Sequence, residues 1–325
     1  MMNVSIIIPI YNGSLFIPGV IECLQNQRYN DFEAILIDDG STDNSLEICQ
    51  RYIAGDSRFV LLSQKNSGAS EARNAGLRIA KGHYICFADI DDVFNEYYIE
   101  DLMKCAQSGD LVIQGRVRLS GEKETVIPIQ HEGIYDLRKD SERFFYAIDI
   151  EQYGAPYCKL FSNDIIKNNQ IFFSTNILLA EDFDFLIRYL CFCSLVVIDN
   201  KANYSYRDNV GSLSTKSYTF DIEYSGLRQI DNSLCQLLKQ YNVPALESLY
   251  GKSVAYHVQR AIWGNYRTQL HGGGRIENIK QLSIRYGSLY QKYSRAETCF
   301  LKLVKFLFCH RQFVLLDFVL SRVVR

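Results

Sequence analysis

Asp89, Asp91 and Asp92 place three carboxylates within four residues, directly after the apolar run Tyr84 to Ala88. At the end of a buried strand such groups repel, each like-charge contact costing on the order of 1 kcal/mol or more. A divalent cation removes that cost. Mg²⁺ or Mn²⁺ takes few protein carboxylates and keeps places for water and phosphate oxygens. Such an ion can bridge a diphosphate and neutralise charge as it departs. The bland alternative is that Asp91 or Asp92 caps a helix starting near Asn95.

Four further groups have chemistry to offer. Asp38 and Asp39 precede Gly40-Ser-Thr-Asp43, and a carboxylate there can accept from an N–H of a base. Ser41, Thr42 and Asp43 also offer N-cap chemistry for the next helix. Tyr11 follows an apolar run, where a ring can stack on a base or simply pack. Arg73, in Arg73-Asn-Ala-Gly76, lies one turn inside a helix and can face a base or phosphate. Glu181 and Asp182 open a helix, whose N-terminus stabilises a carboxylate in the charged form that a general base requires. Arg207, at the end of Tyr204-Ser-Tyr-Arg207 and before Asp208-Asn-Val-Gly-Ser212, can reach a diphosphate or close a surface ion pair.

These residues need a scaffold that brings loops together, and the periodicity supplies one. Val4 to Ile10, Phe32 to Ile37, Arg58 to Leu62 and Tyr84 to Ala88 read as strands. Between them, Leu15 to Gln27, Asp43 to Ile53 and Ser70 to Ala80 read as helices, the last with Ala72, Ala75 and Ile79 inward. Strand and helix alternating at this pitch imply βαβ units and a mostly parallel sheet, with ligands beyond the strands' carboxyl ends. From Asp110 the pattern is mixed, with strands at Asp110 to Gln114, Arg116 to Leu119 and within Leu195 to Tyr206, and a helix over Glu181 to Cys191. Beyond Asp221 the spacing is helical: 221–241, 245–270, 276–293 and 296–321, separated by Pro244, Gly272-Gly-Gly and a polar stretch near Ser294. The expected division is 1–218 for the α/β part and 219–325 for a helical region.

A formal net charge of −2 gives no basic field for nucleic acid. The 10 Cys show no metal or redox spacing, and no apolar run is long enough to span a membrane. Without a basic n-region before Val4, no secretory signal is read, and a cytoplasmic protein with reduced thiols is expected.

Together the motifs resemble a family 2 glycosyltransferase of the GT-A fold. The matching segments are Val4-Ser-Ile-Ile-Ile-Pro-Ile-Tyr-Asn12, Ile37-Asp-Asp-Gly-Ser-Thr-Asp-Asn-Ser45, Asn66-Ser-Gly-Ala-Ser-Glu-Ala-Arg-Asn-Ala-Gly76, Ala80-Lys-Gly-His-Tyr-Ile85 and Phe87-Ala-Asp-Ile-Asp-Asp92. The resemblance is dense over 3–100, thinner through Lys159-Leu-Phe161, Glu181-Asp182 and Tyr206-Arg207, and absent after about 220. It implies that Pro9 and Tyr11 shape the base pocket, Asp39 accepts from a uracil N–H, and Arg73 lies on the base side. It implies further that Asp89 faces the ribose, Asp91 ligates Mn²⁺ or Mg²⁺ with Asp92 close behind, and Asp182 is the catalytic base with Glu181 beside it. Two features depart from the pattern: Ile90 stands where many members carry a small or polar residue, and no His lies beside Tyr206-Arg207 to complete a metal shell.

The reading is therefore an inverting, metal-dependent transferase using a nucleotide sugar, most simply UDP-linked, on a glycan or lipid-linked glycan. A sugar-phosphate nucleotidyltransferase would need a Gly-rich, Arg/Lys-bearing loop where Pro9-Ile-Tyr-Asn-Gly-Ser14 stands. A retired binding module would lack Asp91 or Asp182, and both are present. The tail 296–325 joins apolar residues such as Phe306, Leu315 and Phe318 to Lys302, Lys305, Arg311, Arg322 and Arg325, opposed by Asp317. It suits peripheral contact with the inner face of a membrane, or packing on its neighbours or a second subunit.

Overall fold

The computed structural model describes residues 3–107, 109–121, 123–208, 218–267 and 270–323. Asn209 to Ser212 and residues 213–217, just ahead of the expected division, lie outside the described residues, as do Met1 and Arg325. The chain divides into two compact units. One comprises Met1–Thr175 with Phe185–Val210; the other comprises Asn176–Asp184 with Gly211–Arg325.

The first unit opens with β1 (Val4–Ile10), α1 (Ile17–Gln25), β2 (Phe32–Asp38), α2 (Ser45–Tyr52), β3 (Phe59–Ser63), α3 (Ala69–Ile79) and β4 (Tyr84–Phe87). This is the expected alternation, each bound within two residues of its predicted place. It continues with β5 (Val93–Phe94), α4 (Tyr98–Ala106), β6 (Leu111–Gln114), β7 (Arg116–Ser120), β8 (Lys123–Ile127), β9 (Gly133–Asp136), α5 (Leu137–Ala147), β10 (Lys159–Ser162) and α6 (Asn163–Asn168). Then come α7 (Glu181–Leu190), whose first residues cluster with the second unit, β11 (Leu195–Asp199) and β12 (Tyr204–Arg207).

Eight strands form one sheet in the order β3-β2-β1-β4-β10-β6-β11-β9. It is mostly parallel, with β10 and β9 running against their neighbours. A smaller sheet has the order β5-β12-β7-β8. β2 is buried at every position, as a parallel strand covered on both faces must be. α1 turns Ile17, Val20, Ile21 and Leu24 inward at helical spacing. α3 approaches β1 so closely that a Cβ on Gly76 would lie 2.5 Å from Ile7 Cγ2. The inward set of α3 differs from expectation. Residues Ala72 to Leu77 are all buried, and Ile79 is 39% exposed because it sits in the last turn, past the cover.

The second unit holds α8 (Phe220–Tyr241), α9 (Pro244–Gly264), α10 (Gly272–Tyr293), α11 (Cys299–Cys309) and α12 (Phe313–Val323). Its own core includes Leu227, Val258, Ile279, Tyr286, Phe308 and Leu316. Two helix expectations are corrected here. Gly272-Gly-Gly opens α10 instead of separating helices, with His271 at the N-cap position. The tail is two helices, broken where Arg311 adopts φ +57°. Buried carboxylates are matched: Arg260 grips Glu223 through two bonds of 2.8 and 2.9 Å, and Arg285, Tyr250 and Tyr286 all donate to Asp231. Pairing of this kind is what makes a buried charge tolerable.

Candidate active site at the carboxyl edge of the sheet

The loops after β1, β2, β3 and β4 leave the same edge, since these strands are parallel. Pro9 opens that edge. Backbone groups of Asn3 and Ile7 bond toward β4, whereas Ile10 bonds toward the β2 side. The amide Pro9 lacks would therefore face β4, whose register with β1 ends at Ile7↔Phe87. Beyond that point β1 and β4 are not laced, and Tyr11 stands there 52% exposed.

The first two loops are tied into one surface. The Asn12 N–H donates to Ser41 Oγ at 3.0 Å, the Thr42 N–H donates to Asn12 Oδ1 at 2.8 Å, and the Gly13 N–H donates to Ser45 Oγ at 2.9 Å. Ser41 and Thr42 are drawn to Asn12 and do not cap α2, whereas the expected Asp43 does serve its start: Oδ1 accepts from the Ser45 N–H, the first of the helix, at 3.0 Å. The helix starts at Ser45 after an Asn44 that makes no side-chain cap. Ile90 packs here too: a Cβ on Gly13 would meet Ile90 Cγ1 at 3.3 Å, so the bulky residue links the first loop to the aspartate turn.

Asp39 is buried and organises the loop after β3. Its Oδ1 accepts from Gln64 Nε2 at 2.7 Å and the Ser67 N–H at 2.9 Å; its Oδ2 accepts from the Gly68 N–H at 2.8 Å. Gly40 is required alongside: its φ is +69° and a Cβ would fall 2.6 Å from the Asn66 nitrogen. Arg73 reaches Asp89 with 2.9 Å between Nη2 and Oδ1, and its guanidinium lies 5.4 Å from the Phe173 ring centroid. Asn74 fixes that ring by a reciprocal pair: Nδ2 donates to the Phe173 carbonyl at 2.9 Å, and the Phe173 N–H donates to Oδ1 at 2.7 Å.

The three aspartates diverge. Asp89 goes to Arg73. Asp92 turns into the core, where the Tyr204 hydroxyl donates to Oδ2 at 2.7 Å and the Arg207 N–H donates to Oδ1 at 2.9 Å. Burial, and after it the Asp89 carboxylate, push the Asp92 carboxyl up to about 8 against those donors. Asp91 is half-buried beside them. Neither Asp91 nor Asp92 caps α4, which begins at Tyr98 after β5 and has no side-chain cap. Among the described residues, no group of three or more His, Cys, Asp or Glu is arranged to hold a metal ion. The donor set therefore does not fit a closed protein cage.

Arg207 sends Nε to the Asp91 carbonyl at 3.2 Å and is otherwise exposed, so it braces the aspartate turn. Glu181 and Asp182 belong to the second unit. They lie in the first turn of α7 and are half-buried. Ala180, just before them, is held at φ +61°, a left-handed conformation that costs a residue with a Cβ about 1–2 kcal/mol. Asp184, in the same turn, is buried and accepts from Gln229 Nε2 at 2.9 Å and Ser233 Oγ at 2.5 Å, a packing duty.

Sequence reasoning missed Tyr204, which also accepts from the Asp89 N–H at 3.0 Å and so bridges both ends of the turn. It is stacked at 5.1 Å on Tyr157, which stacks at 5.6 Å on Tyr206. The alternation Tyr204-Ser-Tyr206 signals one aromatic face; nothing near Tyr157 signals its part. Tyr204→Phe leaves a buried acceptor and a buried N–H short of a partner. A loss of about 1–3 kcal/mol in urea unfolding is expected, with weaker nucleotide binding. An unchanged midpoint would show that the hydroxyl does not hold the turn.

Residues 5–169, just over half the chain, match the family model for glycosyl transferase family 2. The chain belongs to this family. The family 2 glycosyltransferase is 32% identical over 219 residues to EpsJ of Bacillus subtilis, described as an uncharacterized glycosyltransferase. That match covers 66% of this chain and 64% of EpsJ, so the chain spans just under two thirds of that relative's length. It is 28% identical over 297 residues to the poly(ribitol-phosphate) beta-N-acetylglucosaminyltransferase TarP of Staphylococcus aureus, covering 88% of this chain and 84% of TarP. In fold it matches the 1–349 portion of S. aureus TarS, crystallised with UDP-GlcNAc, at a TM-score of 0.70 and 17% identity, covering 99% of this chain and 91% of that one. The mostly parallel sheet flanked by helices is thus the GT-A fold anticipated from the sequence.

Proposed function

We propose that this glycosyltransferase moves a sugar from a UDP-linked donor to a hydroxyl of a glycan or lipid-linked glycan, with inversion at the anomeric carbon. The observation that carries this reading is the unlaced edge between β1 and β4, bordered by the exposed Tyr11 ring, the buried Asp39 acceptor and the Arg73–Asp89 pair. In this reading the ring and the acceptor serve the base, and the ion pair serves the ribose. The likeness to TarP, whose name specifies N-acetylglucosaminyl transfer, supports an N-acetylhexosamine donor.

In this reading Tyr11 stacks on the base and Pro9 leaves room for it. Asp39 holds the 64–68 loop and offers Oδ2 to the base N–H. Arg73 keeps Asp89 turned to the ribose. Asp91 would hold Mn²⁺ or Mg²⁺, which when bound neutralises the departing diphosphate. Asp92, locked by Tyr204 and the Arg207 N–H, sets the turn that presents Asp91, and the Arg207 side chain stands near the phosphates. Asp182 takes the proton from the acceptor hydroxyl as its oxygen bonds to the anomeric carbon and the bond to the diphosphate oxygen breaks; Glu181 lies beside it. The enzyme would work in the cytoplasm, where nucleotide sugars are made.

Calorimetric titration of UDP, then GDP, into the protein with Mn²⁺ and again with EDTA tests this. UDP binding that needs the metal and is lost in Asp39→Ala and Asp91→Ala is the expected outcome. No binding of either nucleotide with metal present would overturn the reading.

A further inference from the structure

α11 and α12 pack on α10 and on each other through one stripe, including Val304, Leu307 and Phe308 on the first and Leu316 and Leu320 on the second. Their opposite faces are apolar and bare. Leu303 is 43% exposed, Phe306 54%, Val314 72%, Leu315 49% and Phe318 55%. The spacing of 302, 303 and 306 on α11, and of 314, 315, 318 and 322 on α12, makes each set a single helical stripe.

The charge on that face has one sign. Lys302 and Arg322 are exposed on it, and Arg311 is exposed in the turn between the two helices. The only acid between Cys299 and Val323 is Asp317, and it is withdrawn: Arg275 Nε donates to Oδ1 at 2.7 Å and Asp317 is 9% exposed. The Arg322 guanidinium sits 3.4 Å above the Phe318 ring centroid, a cation held over an exposed apolar surface.

We propose that this face of α11 and α12 seats on a membrane leaflet bearing anionic headgroups. Such a leaflet supplies both things the face asks for, an apolar depth for Phe306, Leu315 and Phe318 and negative charge at the level of Lys302, Arg311 and Arg322. A second copy of the chain supplies only the first. A symmetric pair built on this face would set cations against a face of cations, with no unpaired acid between Cys299 and Val323 to answer them. No helix among the described residues is long and apolar enough to cross a membrane, so the contact is peripheral. The inference goes beyond the donor chemistry and does not rest on it.

The test is co-flotation of the full chain with vesicles of phosphatidylcholine alone and of equimolar phosphatidylcholine and phosphatidylglycerol. The chain is expected to float with the mixed vesicles and to be released by salt. Each cation contributes about fivefold to partition near an anionic surface, so Lys302→Glu with Arg322→Glu lowers it more than about tenfold. Phe306→Ser with Phe318→Ser lowers it comparably, with the thermal midpoint and UDP affinity unchanged. Equal flotation with both vesicles, or flotation indifferent to the four substitutions, overturns the proposal. So does a self-association in sedimentation that Phe318→Ser removes, which would assign the face to a second copy.

Discussion

Asp182→Asn is expected to slow sugar transfer about 10²- to 10⁴-fold while UDP affinity stays the same. Asparagine has the same shape and fits the same turn of α7, but it cannot take a proton at neutral pH. The loss should therefore appear in kcat, with KM for the donor little changed, which is the mark of a group acting only in the transition state. Two neighbours make the result interpretable. Asp184→Asn, one residue beyond Phe183, disturbs the bonds to Gln229 and Ser233 and should register as lost stability of the second unit. Asp91→Ala should weaken nucleotide binding and transfer together. Equal loss of nucleotide binding in Asp182→Asn and Asp91→Ala would sink the assignment of separate roles.

The second large effect belongs to Asp39. Its carboxylate accepts three hydrogen bonds, two of them from backbone N–H groups, in a site where it is 3% exposed. Hydrogen bonds to a charged group contribute about 1.5–3 kcal/mol each. Asp39→Asn must point its amide donor at one of the existing donors, so the 64–68 loop loses its anchor. Urea unfolding should report a loss of about 2–4 kcal/mol, and calorimetry should report no UDP binding. Full stability with binding lost would mean the acceptor serves the base alone. Retained UDP affinity would remove Asp39 from the base pocket.

The alternation of strands and helices through Ala88 was legible because burial there obeys local rules. β1 and β2 are covered on both faces and read as apolar runs, and α1 carries one apolar stripe. The residues at the strand ends could be named for the same reason. What they touch could not. Tyr204 reaches Asp92 across 112 positions, and Asn74 holds Phe173 across 99; no periodicity encodes such pairs. That is why the aspartates read as one cluster when their partners draw them apart. Between 110 and 180 the elements are short or irregular: β9 and β10 have four residues, α6 has six, and α5 is kinked at Asp140. The break at Arg311 was hidden because a left-handed turn there is made without glycine or proline.

Pro9 has a meaning for motion as well as for space. An open sheet ordinarily frays from its rims, here β3 and β9. This one carries an internal end in its middle, because β1 offers no amide to β4 past Ile7. Breathing of the ladder can begin at that seam and run toward Val4↔Tyr84, along a strand buried at all but one of its positions. A ligand lodged at the seam acts as a splint there. Occupancy would then be written into the exchange rates of amides at the heart of the sheet, where solvent exchange is usually slowest, and the rims would carry no trace of it.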